Sequence, residues 1–117
     1  MSNRNRAKAA SAEDVKAFIA ETEGLRIVQF TAEWCARCHS IVAEIEAAFE
    51  GETFEWMQAP TEVEGVMESY DAVSLPRIDV YGRNGQRSLV GFECSVKSLR
   101  DAFKEVQPPL LVLDADF

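Results

Sequence analysis

The chain has 117 residues, 47% of them apolar, with 12 basic and 20 acidic side chains and a net charge of −8. That length fits one domain able to bury a core without a metal or disulfide staple, and the acidity disfavours nucleic acid as a partner. The apolar runs are too short to span a bilayer, no apolar stretch resembling a secretory signal follows Met1, and three cysteines are too few, and odd in number, for a secreted disulfide framework; a reducing, cytoplasmic setting is expected.

Residues 1–10 carry Arg4, Arg6 and Lys8 and no acid. They read as a basic, disordered arm without a strand pattern. The same composition also fits a mitochondrial or other organelle-targeting segment. Residues 11–107 read as the folded domain. Ser11 and Asp14 are spaced as a capping box, and Val15, Phe18, Ile19 and Thr22 follow at helical spacing. Gly24 stops that helix. Leu25 to Thr31 is nearly continuous in apolarity, as in a strand covered on both faces.

A second helix should follow the next turn, with Ile41, Val42, Ile45, Ala48 and Phe49 on one face and an end near Gly51. Phe54 to Met57 reads as a short strand. Pro60 and Thr61 should open a third helix whose stripe is Val63, Val66, Met67 and Tyr70. Ser74-Leu75-Pro76 interrupts the chain before a strand at Arg77 to Tyr81. Asn84-Gly85 is a strong hairpin turn, and Gln86 to Gly91 is the returning strand. The last helix spans Val96 to Val106, capped by Ser95. Pro108-Pro109 ends it. The apolar Leu110 to Leu113 in the tail, residues 108–117, should pack on its own domain or on a sheet edge, or dock a partner or a second copy. A monomer is expected, with a dimer through this tail as the alternative.

The resulting order is α β α β α β β α. It predicts an α/β three-layer fold, a central mixed sheet of about four strands flanked by helices on both faces. Strands joined through helices should pair in parallel by right-handed crossovers, and the hairpin should add an antiparallel pair.

Cys35 and Cys38 stand where the first strand hands over to the second helix. The C-x-x-C spacing lets two sulfurs meet across one tight turn. The free N–H groups and positive dipole end of a helix favour a thiolate in its first turn. The C-terminal rim of a sheet is where open α/β folds meet ligands. Cys35 would be the exposed nucleophile and Cys38, one turn further in, the buried resolving thiol. His39 extends the pattern to C-x-x-C-H, which also occurs in haem attachment, but no second axial ligand beyond Met57 or Met67 is evident. A zinc site would need Cys35, Cys38, His39 and the distant Cys94. Neither metal nor cofactor is expected. His39 reads as an exposed helix residue or a modulator of the thiolate, and Cys94 as a small, partly buried residue or a regulatory or intermolecular thiol.

Ala32-Glu33-Trp34-Cys35-x-x-Cys38 after an apolar strand, Leu75-Pro76 before another, Asn84-Gly85, Gly91 and the closing helix together make the sequence resemble the thioredoxin family from about Ser11 to Val106. The resemblance implies that Cys35 attacks and Cys38 resolves. Trp34 would be a flat apolar wall, Pro76 would be cis, and the backbone at Leu75 would pair with an extended substrate segment. It also exposes departures. Ala36-Arg37 replaces the usual Gly-Pro, and Arg37 should favour the ionised, reduced state. Gln29 replaces a buried carboxylate, and Trp56 stands where a charged residue is common. Arg77 replaces the usual Thr; with Asp79 on the same strand face it is expected to form a pair near Gln29, making Asp79 the substitute base. A strand commonly present before the first helix is expected to be missing.

The expected function is a thiol–disulfide oxidoreductase that reduces protein disulfides, supplied with electrons by an external thiol reductant or reductase, and using neither membrane nor nucleic acid. The alternative is a redox-sensing or binding module of the same fold with little turnover.

Overall fold

Ile27, Val28, Gln29 and Phe30 are all fully buried, so the strand they form must be covered on both faces. The computed structural model, which describes residues 6–108, places that strand at the centre of a five-stranded sheet. The elements are β1 (Arg6–Lys8), α1 (Ala12–Glu21), β2 (Arg26–Thr31), α2 (Ala36–Ala48), β3 (Glu55–Pro60), α3 (Val66–Tyr70), β4 (Arg77–Gly82), β5 (Gly85–Val90) and α4 (Val96–Val106), with a 3₁₀ turn at Gly91–Glu93. The strand order is β1-β3-β2-β4-β5. β3 pairs in parallel with β1 and β2, whereas β4 runs antiparallel to β2, and β5 antiparallel to β4.

The twofold alternation along the strands divides the core into two layers. Ile27, Trp56, Ile78 and Val80 pack under Ile41 and Ile45 of α2 and Leu99, Phe103 and Val106 of α4. Val28, Phe30, Met57 and Ala59 pack on the opposite face against Val15 of α1 and Val66 of α3. Phe103 closes the first layer against Phe49 and Phe54, with ring centroids 5.0 and 5.1 Å apart. The helix caps follow their sequence signals. Ser11 Oγ accepts the Asp14 N–H, while the Asp14 carboxylate accepts the Ala10 N–H. Ser95 Oγ accepts the Ser98 N–H at the start of α4. The three-layer α/β architecture is thus as expected.

Three details differ. The strand expected to be missing is present as β1, in register with Trp56 to Gln58. Ala7 and Lys8 are exposed. Three residues held by main-chain hydrogen bonds at a sheet edge leave no apolar alternation to read. α3 begins at Val66 rather than at Pro60, which ends β3, and Met67 is exposed. Finally, α3 does not carry the chain into a parallel crossover. Five helical residues advance about 7.5 Å, whereas a six-residue strand is about 20 Å long. The chain therefore stays at the end where β3 stops, and β4 starts back from there. The expectations for residues 1–5 of the arm and for 109–117 of the tail lie outside the described residues.

Candidate active site

β2 ends at Thr31, and the turn Ala32 to Trp34 delivers Cys35 as the N-cap of α2. The Cys35 N–H donates to the Ala32 carbonyl at 3.1 Å, and Cys35 Sγ accepts the Cys38 N–H at 3.1 Å. This is the capping role usually taken by a serine or aspartate oxygen. Here a sulfur faces the unpaired N–H groups and the positive end of the helix dipole, so negative charge on it is stabilised. Cys35 and Cys38 are joined as a disulfide with their Cα atoms 5.3 Å apart. Cys38 is wholly buried, and Cys35 retains 5% of its surface. Cys35 is less open than the sequence suggested because Leu75 packs over Ala32, Cys35 and Cys38. Still, only Cys35 of the two can be met from outside.

Trp34 beside it is 73% exposed. The Leu75–Pro76 peptide bond is cis, and the Pro76 carbonyl accepts the Gly91 N–H at 2.9 Å. Pro76, Gly91, Phe92, Cys94, Ser95 and Arg37 line an apolar groove of about 460 Å³. Phe92, fully exposed, is a site residue that the sequence reading misses. The available signal was an aromatic residue beside Gly91 with no strand or helix face to bury it. A second, more polar cavity of about 520 Å³ includes Thr31, Glu33, His39, Gln58 and Glu62 in its lining.

The floor beneath Cys38 is an amide network. Gln29 Nε2 donates to the Cys38 carbonyl at 2.9 Å. Its Oε1 accepts from Trp56 Nε1 at 3.1 Å and from Gln58 Nε2 at 3.3 Å. The register sets Gln58, not Trp56, directly across from Gln29. Arg77 and Asp79 do form a pair, with Arg77 Nε and Nη2 each 3.0 Å from the carboxylate. The pair is not near Gln29. Gln29 lies opposite Ile78, while Arg77 and Asp79 lie opposite Phe30 and Val28. Since side chains alternate across a strand, Asp79 is on the other face of the sheet from Cys38. It cannot be the base for that thiol.

Of the remaining modulators, Arg37 differs from expectation. The Arg37 guanidinium is held by Glu44 at 2.6 and 3.2 Å and by the Cys94 carbonyl at 3.0 Å. The hydrogen bond to Glu44 is the main reason its pKa is raised, and the same contact lowers that of Glu44. Its charge is thereby largely compensated rather than offered to the sulfurs. His39 Nε2 lies 3.2 Å from the Glu33 carbonyl, on the exposed side of α2. The Cys94 thiol points at the carbonyls of Pro76 and Leu89, and burial pushes it up to about 11. Among the described residues no group of three or more His, Cys, Asp or Glu side chains is placed to hold a metal ion.

A pair of cysteines that can open and close one S–S bond at a helix N-terminus is the equipment of the thiol–disulfide oxidoreductases. The sheet that carries it has the thioredoxin fold. A family model described as thioredoxin matches residues 6–105, and the chain belongs to the thioredoxin family. Among solved structures, a mutant thioredoxin from Halobacterium salinarum superposes with a TM-score of 0.74 at 13% identity, covering 94% of this chain and 97% of that one. Reduced Schistosoma mansoni thioredoxin pre-protein gives 0.72 at 17% identity, covering 86% and 97%. Fasciola hepatica thioredoxin gives 0.70 at 22% identity, covering 86% and 99%. No curated protein sequence matches the chain.

Proposed function

We propose that the chain reduces protein disulfides through Cys35 and Cys38. The observation that carries this reading is the position of Cys35 at the N-cap of α2, its sulfur receiving the Cys38 N–H. In the reduced protein, the Cys35 thiolate attacks one sulfur of a substrate disulfide. A mixed disulfide forms, and the other substrate sulfur leaves as a thiolate that takes up a proton. Cys38 then gives up its proton and attacks Cys35, releasing the second substrate thiol. Two electrons have passed to the substrate, and the protein is left with the Cys35–Cys38 disulfide. An external dithiol, small thiol or reductase returns it to the dithiol.

The exposed Trp34 and the groove beside Pro76 give an extended polypeptide an apolar surface next to the attacked sulfur. A reducing compartment such as the cytoplasm suits this cycle, because it keeps the dithiol supplied. The test is reduction of insulin driven by dithiothreitol. Wild type should accelerate it, and Cys35→Ser should abolish the acceleration. Cys38→Ser should accumulate a mixed disulfide with the substrate, visible by mass spectrometry. Equal inactivity of wild type and Cys35→Ser would discard the reading.

A second reading, a redox-responsive binding module with slow turnover, is favoured by one observation: Gln29 cannot accept a proton from Cys38. It predicts that wild type forms the mixed disulfide at a normal rate and releases it slowly.

A further inference from the structure

Arg77 does more than neutralise Asp79. Its Nη1 donates to the carbonyl of Tyr70 at 2.6 Å and to that of Asp71 at 3.4 Å. These are the last residue of α3 and the left-handed residue that ends it. The segment from Asp71 to Pro76 therefore leaves α3 and returns to β4 beneath a single guanidinium. The guanidinium is fixed in turn. Asp79, 1% exposed, takes it by two parallel bonds, a bidentate geometry that lysine cannot reproduce. Ser88 Oγ donates to the same carboxylate from β5 at 2.8 Å. The Phe30 ring lies 4.9 Å from the guanidinium carbon.

The segment so closed is the one that faces the cysteines. It carries the exposed Val73, and Leu75 packs over Cys35 and Cys38. Pro76 meets the groove beside Phe92. We propose that Arg77, held by Asp79 and Ser88 on the far face of the sheet, is a positioning residue that fixes the 71–76 loop as a binding edge for polypeptide disulfides. The substrate half of this claim rests on the reductase reading above; the loop half does not. The guanidinium stands on the opposite face from the sulfur chemistry. It should therefore govern how a protein substrate is held, not how fast Cys35 attacks.

The experiment must keep loss of order apart from loss of fold. Arg77→Gln alone would leave the buried Asp79 charge without its cation, with only Ser88 Oγ still donating to it. The main variant is therefore the double substitution Arg77→Leu with Asp79→Leu, since apolar replacement of a buried pair is commonly tolerated. Arg77→Lys is the conservative companion. Two quantities are measured in each. One is hydrogen exchange at the Ala72 and Val73 amides, whose N–H groups donate to the carbonyls of Met67 in α3 and of Asp71 at the start of the loop. The other is steady-state insulin reduction beside the single-turnover rate with the small aromatic disulfide dithionitrobenzoate.

The double variant should exchange those two amides about tenfold faster, with core amides unchanged. Its KM for insulin should rise about tenfold, while kcat and the small-disulfide rate stay within about twofold. Arg77→Lys should fall between it and wild type. Unchanged loop exchange, an unchanged KM, or a parallel fall of kcat and of the small-disulfide rate would each overturn the proposal. If wild type itself fails to reduce insulin, the reductase reading falls, and the exchange rates alone decide whether Arg77 orders the loop.

Discussion

Gln29 occupies the position from which a side chain can act on Cys38 through the helix floor. Its amide satisfies the Cys38 carbonyl on one side and two N–H donors on the other. Replacing it with leucine would remove all three bonds in a buried place, at a cost of about 2 kcal/mol or more. Thermal unfolding of Gln29→Leu should show a Tm roughly 10 °C below wild type; an equal Tm would mean that the network contributes nothing. Cys94 supplies a pH signature. Burial raises its thiol from 9.0 to about 11, so the folded protein keeps the proton that the unfolded chain gives up. Stability from this group is complete below pH 9 and is lost as pH rises toward 11. Chemical denaturation between pH 8 and 11 should follow that decline, and Cys94→Ala should flatten it. Much of this was legible in the sequence: the Gln29 departure, the order of the two cysteines and the pairing of Arg77 with Asp79. The face on which that pair lies was not, because it depends on which residue of β2 stands opposite Asp79, and only the register with β4 decides that.

At the scale of elements, α1, α2 and α4 followed their apolar spacing, α1 and α4 also their serine caps, and α4 matched residue for residue. The failures were the elements whose stability is not written in side chains. β1 is three residues of edge pairing, and α3 is five residues between turns. The end of α4 also docks on the β4–β5 hairpin in a way the pattern did not announce. The Asn84 N–H donates to the Val106 carbonyl at 2.8 Å, and the Arg83 N–H to Gln107 Oε1 at 2.8 Å. Gly82 makes this approach possible, since a Cβ there would run into the Val106 carbonyl and the Gln107 side chain. Gly82→Ala should therefore destabilise the protein by about 1–3 kcal/mol, read as a lowered denaturant midpoint with an unchanged m-value. A neutral result would show that helix and hairpin separate without penalty.

Across the whole molecule, the fold brings one reactive pair to the C-terminal end of the central strand and leaves only Cys35 reachable. Two exposed apolar side chains belong to this end, Trp34 next to Cys35 in the chain and Phe92 in the groove with Arg37 and Pro76, from two loops that only the sheet order brings together. No local pattern in the sequence could have gathered them. The same assembly couples Arg37 to Glu44 and to the Cys94 carbonyl, so the positive charge beside the motif is compensated. The central claim is that this pair cycles as a reducing dithiol. Equilibration of the protein with glutathione buffers of graded ratio, followed by alkylation and mass analysis, measures it directly. The prediction is one two-electron transition between the Cys35–Cys38 disulfide and two free thiols, at the reducing end of the thioredoxin-fold range, absent in Cys38→Ser. A pair that stays unlinked in every buffer, or that is reduced already under strongly oxidising conditions, would contradict the account.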